Sequence, residues 1–444
     1  MEKILIISYR FPPADETGTQ RTWALARYLQ NSGYYPIFVT RNWDIPLKSI
    51  EDRYTPVGDR TIYQVREGYK AHILPNRDIL QFKINRIFKN RFTIIRKVFN
   101  LVDNLLCNLN CFKLNEYNAF LKEAKRVAKN HPEIKKAIVI ADPFYLFYIG
   151  YYLNKKFGIE WIADYRDDWS TRKFIDTYNF KPTIFHRTIY LLERYSERRW
   201  VGSAKYITSI SDEYTNRISK FVNVKGITIY NGFFEDDYQE IWSSSVNFSK
   251  SKEFSNKKQF NIVHSGTLYP TQKVEIFLKG VKKIIDEFKD RIDIKVKFIG
   301  IQYRQDADKR ITQEMTGYED NFICTKRMGR TELFGELKAS DLALMISHGK
   351  EYKGVTSSKI FDYLGLKKEV VCCPSDGDVV EKILTETGTG YFCNSSTEVY
   401  EFLKKKLKNS LEGRESDFHV NYEKCLVYSR ANQTRKVAAL LDRL

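Results

Sequence analysis

The chain reads as α/β, two doubly wound domains facing across a cleft, and three observations point there. Short, wholly apolar segments alternate with segments of helical period, the alternation halts at a polar stretch and restarts, and 444 residues exceed what one hydrophobic core usually supports. Buried strands alternating with helices imply parallel sheets covered on both faces. Ligands of such sheets gather outside the carboxyl ends of the strands, so two domains on one linker leave a cleft lined by those loops.

The first run, residues 3–11 (KILIISYRF), is a buried strand. Residues 18–33 form a helix, with Leu25, Tyr28 and Leu29 on one face and Gly33 as its stop. Further strands are read at 36–41 (PIFVTR), 136–142 (KAIVIAD), 160–166 (EWIADYR), 206–211 (YITSIS) and 226–232 (GITIYNG). Residues 243–258, rich in Ser, Lys and Asn, mark the boundary. The pattern restarts with a strand at 261–269 (NIVHSGTLY), a helix at 272–288, and strands at 295–300 (KVKFIG) and 341–347 (DLALMIS). A helix at 357–365, a strand at 369–374 (EVVCCP) and a helix at 377–386 follow. The domains are thus expected over 1–240 and 259–424, with 241–258 between them.

Composition narrows the class. Hydrophobic residues at 43% and aromatics at 14% support real cores, so disorder is not the default. Seven scattered cysteines, two of them adjacent at Cys372 and Cys373, do not suggest a disulfide framework and read as reduced residues of a cytoplasmic protein. Cys107 and Cys111 have a metal-like spacing, but no second pair or histidine couple accompanies them. The start, MEKILIIS, lacks a basic region and a cleavage site and behaves as a strand; no run of 18 apolar residues occurs. The net charge of +18 first suggests nucleic acid, yet no nucleic-acid motif appears and the basic residues are spread out.

One basic segment stands apart. Residues 79–100 hold Lys83, Arg86, Lys89, Arg91, Arg96 and Lys97, no acid, and interleaved apolar residues that include Phe82, Ile84, Ile87, Val98 and Phe99. Such a stretch fits an element lying on an anionic membrane surface, at the inner face of the plasma membrane for a cytoplasmic protein. It equally fits a core-packing helix with a solvated cationic face.

The loops at the strand ends carry the chemistry. After the first strand, FPPADETGTQR sets Gly18 before the helix, where backbone can approach a ligand closely, and Arg21 in the first turn. After EWIA comes DYRDDW, whose Asp164, Arg166, Asp167 and Asp168 are costly to bury without function or mutual pairing. In the second half, HSGTLYPTQK offers Gly266 for close approach and Lys273 at a helix opening. Residues 353–365 (KGVTSSKIFDYLG) follow a strand with a helix start that Ser357 or Ser358 can cap, then Lys359 and Asp362. That layout suits a phosphate-bearing ligand with hydroxyls, or an ordinary capped helix between core strands.

In order and spacing these segments resemble the glycosyltransferases of the GT-B fold, two Rossmann-like domains, and most closely the retaining family 4 enzymes of bacterial surface-polysaccharide assembly. The likeness covers nearly the whole chain: the Gly18 loop, DYRDDW, Asn231 and Gly232, SGTLY with Lys273, SSKIFDYLG, and a closing helix in YSRANQTRKVAALLDRL. It implies an acceptor-binding N-terminal domain completed by residues 425–444, and a C-terminal domain binding a nucleotide-diphosphate sugar, with no metal and no other cofactor. Implied donor contacts are Gly18, Arg21, Gly266, Thr267, Lys273, Ser357, Ser358, Lys359 and Asp362; Arg166, Asp167 and Lys273 take the catalytic roles. Lys83, Arg86, Lys89 and Arg91 would face the acceptor's membrane. The chain departs from the family twice: Thr267 stands where an arginine is common, leaving Lys359 or Arg21 to supply the charge, and the first of two glutamates falls at Gly354, with Asp362 as the second acid. A subgroup with a lysine three positions before the acid also lacks that first acid. A sugar-nucleotide epimerase of the same fold and an inactive nucleotide-binding subunit are the alternatives.

Overall fold

Parallel strands cannot be joined by a hairpin, so each strand must be followed by a crossover, and the alternation in the chain supplies one. The computed structural model describes residues 1–14, 17–45, 51–88, 93–171, 184–243, 257–303, 305–414 and 418–444. They form two units, Met1–Tyr230 with Gln433–Leu444, and Asn231–Asn432.

The first unit opens with β1 (Glu2–Ser8), α1 (Thr17–Tyr28), β2 (Tyr34–Arg41), β3 (Ile62–Val65) and β4 (Lys70–Leu74). Three helices follow, α2 (Leu80–Phe88), α3 (Thr93–Asn108) and α4 (Tyr117–Asn130). Next come β5 (Lys136–Ala141), α5 (Phe147–Phe157), β6 (Glu160–Tyr165), α6 (Ile184–Val201), β7 (Tyr206–Ser209), α7 (Asp212–Val222) and β8 (Gly226–Thr228). The sheet order is β3-β4-β2-β1-β5-β6-β7-β8, parallel except for β3 at the edge. Winding reverses between β1 and β5. Ile4, Ile6, Phe38, Ile138 and Ile162 face one core with Leu25 of α1 and Leu29 just after it.

The second unit holds α8 (Glu235–Ser243), β9 (Lys258–Ser265), α9 (Val274–Phe288), β10 (Ile292–Ile299), α10 (Gln305–Glu314), β11 (Phe322–Cys324) and α11 (Arg330–Ala339). It continues with β12 (Leu342–Met345), α12 (Lys359–Gly365), β13 (Val370–Cys372), α13 (Val379–Thr387), β14 (Gly390–Phe392), α14 (Ser396–Leu411) and α15 (Tyr422–Leu426). Its sheet, β11-β10-β9-β12-β13-β14, is parallel throughout and reverses between β9 and β12. The closing helix α16 (Arg430–Leu441) contributes Val437, Ala438, Leu440 and Leu441 to the core of the first unit.

The mixed edge pair β3 and β4 was not foreseen, nor were the three-residue strands β11 and β14, which are too short to display a period. The division between units falls after Tyr230 rather than within 241–258. Its cause is hydrophobic: Phe233, Phe234 and Tyr238 are buried, and Tyr238 stacks on Phe334 of α11 at 4.8 Å. Most of the polar stretch, 244–256, lies outside the described residues. Of residues 425–444, only those from Gln433 onward join the first unit.

One core charge bears on stability. Glu197 of α6 is fully buried and accepts from Tyr165 Oη at 2.9 Å and Ser170 N at 3.2 Å. Burial pushes its carboxyl up to about 7. An acid whose pKa is raised on folding favours the fold while protonated, and that advantage is lost as pH climbs from the unfolded value through the folded one. Wild type should lose stability between about pH 4 and pH 7 through this group, on the order of 3 kcal/mol at most. Glu197→Gln should flatten that segment of the urea-unfolding profile; an unchanged profile would refute it.

Candidate functional site

In the second unit the reversal between β9 and β12 leaves two strand ends side by side. His264, in an otherwise apolar strand, is fully buried; its Nδ1 donates to Leu344 O at 3.0 Å, leaving Nε2 as an acceptor. Lys359 Nζ lies 3.2 Å from that nitrogen and donates to Thr267 O at 2.8 Å. Burial, then the adjacent Lys359, holds His264 well below the usual imidazole range, so both neighbours of the ammonium are neutral. Gly266 has φ 86°, and a Cβ there would come within 2.7 Å of Lys359 Cε. Glycine is therefore needed both for the left-handed turn and for the passage of the lysine. Among the described residues no carboxylate pairs with Lys359, and burial pushes its amine down to about 7. The lysine lacks a counter-charge.

Asp362, one turn into α12, accepts from Tyr238 Oη at 2.7 Å and lies 3.5 Å from Arg330 Nη2, both on Oδ1. Its side chain keeps 24% exposure, and burial raises its pKa above the usual carboxylate range. The expected serine cap is corrected: Ser358 occupies the N-cap position but makes no capping bond, and Ser357 contributes only its carbonyl, to Ile360 N at 3.4 Å. Ser358 already has helical backbone angles (φ −63°, ψ −21°), whereas a capping side chain normally rises from extended backbone. Gly354, where the family's first acid would fall, takes φ 83° and donates its N–H to Asp378 at 2.6 Å. A left-handed turn there suits glycine and explains why an acid is missing. Lys273 stands exposed at the N-cap position of α9, and no side-chain hydrogen bond or ion pair among the described residues holds it. Beside it Thr271 Oγ1 meets His348 Nδ1 at 2.7 Å and Tyr269 packs on the same imidazole at 5.6 Å, so the loops after β9 and β12 touch there too.

The first unit repeats the arrangement with arginines. Arg10, after β1, pairs with Asp142, after β5, at 3.0 Å, across the point where winding reverses. A Cβ on Gly18 would collide with Arg166 Nη1 and lie 2.7 Å from Arg10 Cδ, so α1 begins directly against both side chains. Arg166 Nη1 is buried and without a hydrogen-bond partner among the described residues. Burial first and Arg10 second push its pKa down, against the pull of Asp167 and Asp142. The other charges of DYRDDW are committed. Asp164 takes a two-pronged contact from Arg21 at 2.6 Å and a bond from Thr208 at 2.5 Å, while Asp168 accepts from Arg217 at 2.7 Å and from Thr171. Arg21 also donates to Ile229 O at 2.8 Å, and serving a donor would require breaking this frame. Asp167 is half-buried beside Arg166.

Neither a protein-family model nor a curated protein sequence matches the chain. Solved structures do match over its length. A glycosyltransferase from Rickettsia africae superposes with TM-score 0.58 at 14% identity, covering 99% of this chain and 98% of that one. An alpha,alpha-trehalose-phosphate synthase (UDP-forming) from Burkholderia vietnamiensis gives 0.62 at 11%, covering 100% and 99%. An E. coli structure named for trehalose 6-phosphate and bound with UDP-2-fluoro glucose gives 0.63 at 11%, again covering 100% and 99%. The chain has the GT-B fold.

Within that GT-B frame the structure brings Gly266, Thr267 and Lys359 together, and separately Gly18 and Arg166. His264, Tyr238, Arg330 and Arg10 were not singled out from sequence; a histidine inside an apolar strand was the one local signal available. Of the basic residues assigned to the membrane, Arg86 is tied to Asp78 at 2.6 Å and Lys83 approaches it at 3.9 Å. Lys89 and Arg91 lie outside the described residues. Cys107 is buried and bonded by Asn115 at 2.9 Å, and Cys111 is exposed.

A lysine whose pKa is depressed in the folded state costs stability as pH falls toward that value, and a neighbouring anion removes the cost by restoring its charge. Nucleoside diphosphate affinity should therefore weaken as pH rises above about 7, by up to about tenfold per unit. Calorimetric titration of Lys359→Met from pH 7 to 9 should show weak binding with no such slope; an identical slope would exclude Lys359.

Proposed function

We propose that this chain is a glycosyltransferase that moves a sugar from a nucleotide-diphosphate sugar to a hydroxyl of a glycan or lipid-linked acceptor, with retention and without a metal, in the manner of the family 4 enzymes it resembles. The observation that carries the reading is Lys359: a half-buried ammonium at the reversal point, bonded only to a carbonyl and a neutral imidazole. A diphosphate is the charge it lacks. The UDP-forming synthase and the structure holding UDP-2-fluoro glucose, both similar in fold, support a nucleotide-sugar donor.

In the proposed reaction the bond from the anomeric carbon to the diphosphate oxygen breaks and its electron pair leaves with the diphosphate. Lys359 stabilises that developing charge from a partly desolvated position preorganised by Thr267 O and His264, which is where such donors count most. Exposed Lys273 adds a second cation, and Asp362, oriented through Oδ1, offers its carboxylate to the ribose hydroxyls. The acceptor hydroxyl bonds to the same face of the anomeric carbon and passes its proton to the departing diphosphate. Arg10 and Arg166 favour an acceptor that carries phosphate, as lipid-linked sugars and sugar phosphates both do, with Asp167 placed to orient its hydroxyls. The side chains this reading assigns to the diphosphate, Lys359 and Lys273, are cationic. Among the described residues no helix is long and apolar enough to cross a membrane. A cytoplasmic location, peripheral at the membrane's inner face, is part of the proposal.

Lys359→Ala and Asp362→Ala should each lower transfer at least about tenfold, ~1.4 kcal/mol of transition-state stabilisation, with folding intact, and Lys273→Ala should follow them. Wild-type turnover in the first two variants would remove the donor assignment. Transfer should also survive exhaustive chelation, and loss in EDTA that manganese restores would overturn the metal-free mechanism. A product formed from nucleotide sugar alone would identify an epimerase, and nucleotide binding without any turnover an inactive subunit.

A further inference from the structure

Three helices of the first unit present apolar stripes to solvent. On α3 the exposed residues include Val98, Val102 and Leu105, with Leu109 just beyond the helix, a spacing of four, three and four that lines one face. On α6 they are Ile184, Leu191 and Tyr195, and Leu191 is 63% exposed. On α2 they are Leu80 and Ile87. The helices are neighbours, α2 against α3 and α3 against α6, and Ser196 of α6 reaches Asn108 O at 3.4 Å. The stripes therefore belong to one surface, larger than the scattered single apolar residues of an ordinary exterior.

The polar residues among these stripes share one sign. Both acids of α6, Glu193 and Glu197, are buried, while Arg187, Arg198 and Arg199 are exposed. The one acid of α3, Asp103, is half-buried, and burial raises its pKa. On α2 the exposed polar residue is Lys83, whose neighbour Asp78 lies before the helix. The structure revises the reading of 79–100 in part: Phe82 and Ile84 are core residues, Ile87, Val98 and Phe99 are exposed, and further exposed apolar groups lie beyond the segment on α3 and α6.

We propose that the α2, α3 and α6 surface docks on a bilayer containing anionic lipid, its apolar stripes entering the headgroup region and its arginines and lysine meeting the phosphates. Among the described residues the three helices themselves expose cations and no acid, Asp78 before α2 being paired with Arg86, and apolar side chains flanked by cations are what such an interface selects. A second copy of the chain fits poorly, because pairing this surface with itself would bring like charges together in a protein of net charge +18. The inference gives a place to the lipid-linked acceptor of the proposed reaction but does not rest on transfer activity.

The test is co-sedimentation of the full chain with vesicles of phosphatidylcholine alone and with added phosphatidylglycerol. Wild type should bind the anionic vesicles at low salt and release at high salt as screening shortens the range of the charges. Val102→Ser with Leu105→Ser, combined with Leu191→Ser and Tyr195→Ser, should lower the bound fraction about tenfold. The thermal midpoint and the shift caused by nucleoside diphosphate should stay unchanged, since these side chains are exposed. Arg187→Gln with Arg199→Gln should remove the preference for anionic lipid. Failure of wild type to bind at low salt, or unaltered binding by the serine variant, would overturn the proposal. So would a wild-type dimer that the serine variant dissolves, which would make the surface a self-interface. Vesicle binding without sugar transfer would leave this inference standing and sink the proposed reaction.

Discussion

Both units depend on a single constraint: a parallel sheet needs a crossover after every strand, so every loop that follows a strand emerges at the same end. Where the winding reverses, two such loops face each other with no crossover helix packed between them. In the first unit those loops carry Arg10 and Asp142; in the second they carry Thr267 and the segment leading to Lys359. Chemistry-bearing side chains far apart in sequence meet there because the sheet leaves them no other place.

Charges near these points divide into two kinds. Arg21 and Asp164 are almost wholly buried and satisfy each other with two 2.6 Å bonds, with Thr208 and Ile229 O completing the set. They tie α1 to β6, β7 and the chain beyond β8, and removing one partner of such a pair commonly costs about 3–5 kcal/mol. Lys359 and Arg166 are of the other kind, partly desolvated: Lys359 has no carboxylate partner among the described residues, and Arg166, with Asp167 and Asp142 nearby, leaves Nη1 without a hydrogen bond. A protein gains no stability from that condition; an anionic ligand would. The paired charges hold the frame, and in the proposed reading the incompletely compensated ones meet a ligand's charge.

Neutral groups sharpen this contrast. His264 gives its Nδ1 proton to Leu344 O and so presents only a lone pair to Lys359, which locates the ammonium without compensating it. Had a carboxylate stood there, the lysine would be a structural ion pair. Tyr238 and Arg330 act similarly on Asp362, engaging Oδ1 and setting the orientation of the carboxylate.

Much of this was legible in the chain. Apolar runs alternating with helical period reported the two parallel sheets, because burial on both faces demands continuous apolar strands. Gly18, Gly266, Lys359 and Asp362 could be singled out because loops at strand ends need small residues for close approach and charges for a ligand. The unit boundary was misplaced because Phe233 and Tyr238 decide it by burial, and a polar stretch reports only solubility. Ser358 was given a cap that its backbone angles deny it. In DYRDDW, four charges of equal standing in sequence became two structural pairings and a residual Arg166 with Asp167, since pairing depends on Arg21 and Arg217, which only folding brings near. Local composition by itself determined the strands, the turns and the types of charged residue at their ends. Which charges are cancelled and which are left uncompensated was decided by the tertiary structure alone, because electrostatic compensation is a matter of distances of a few ångströms between residues far apart in the chain.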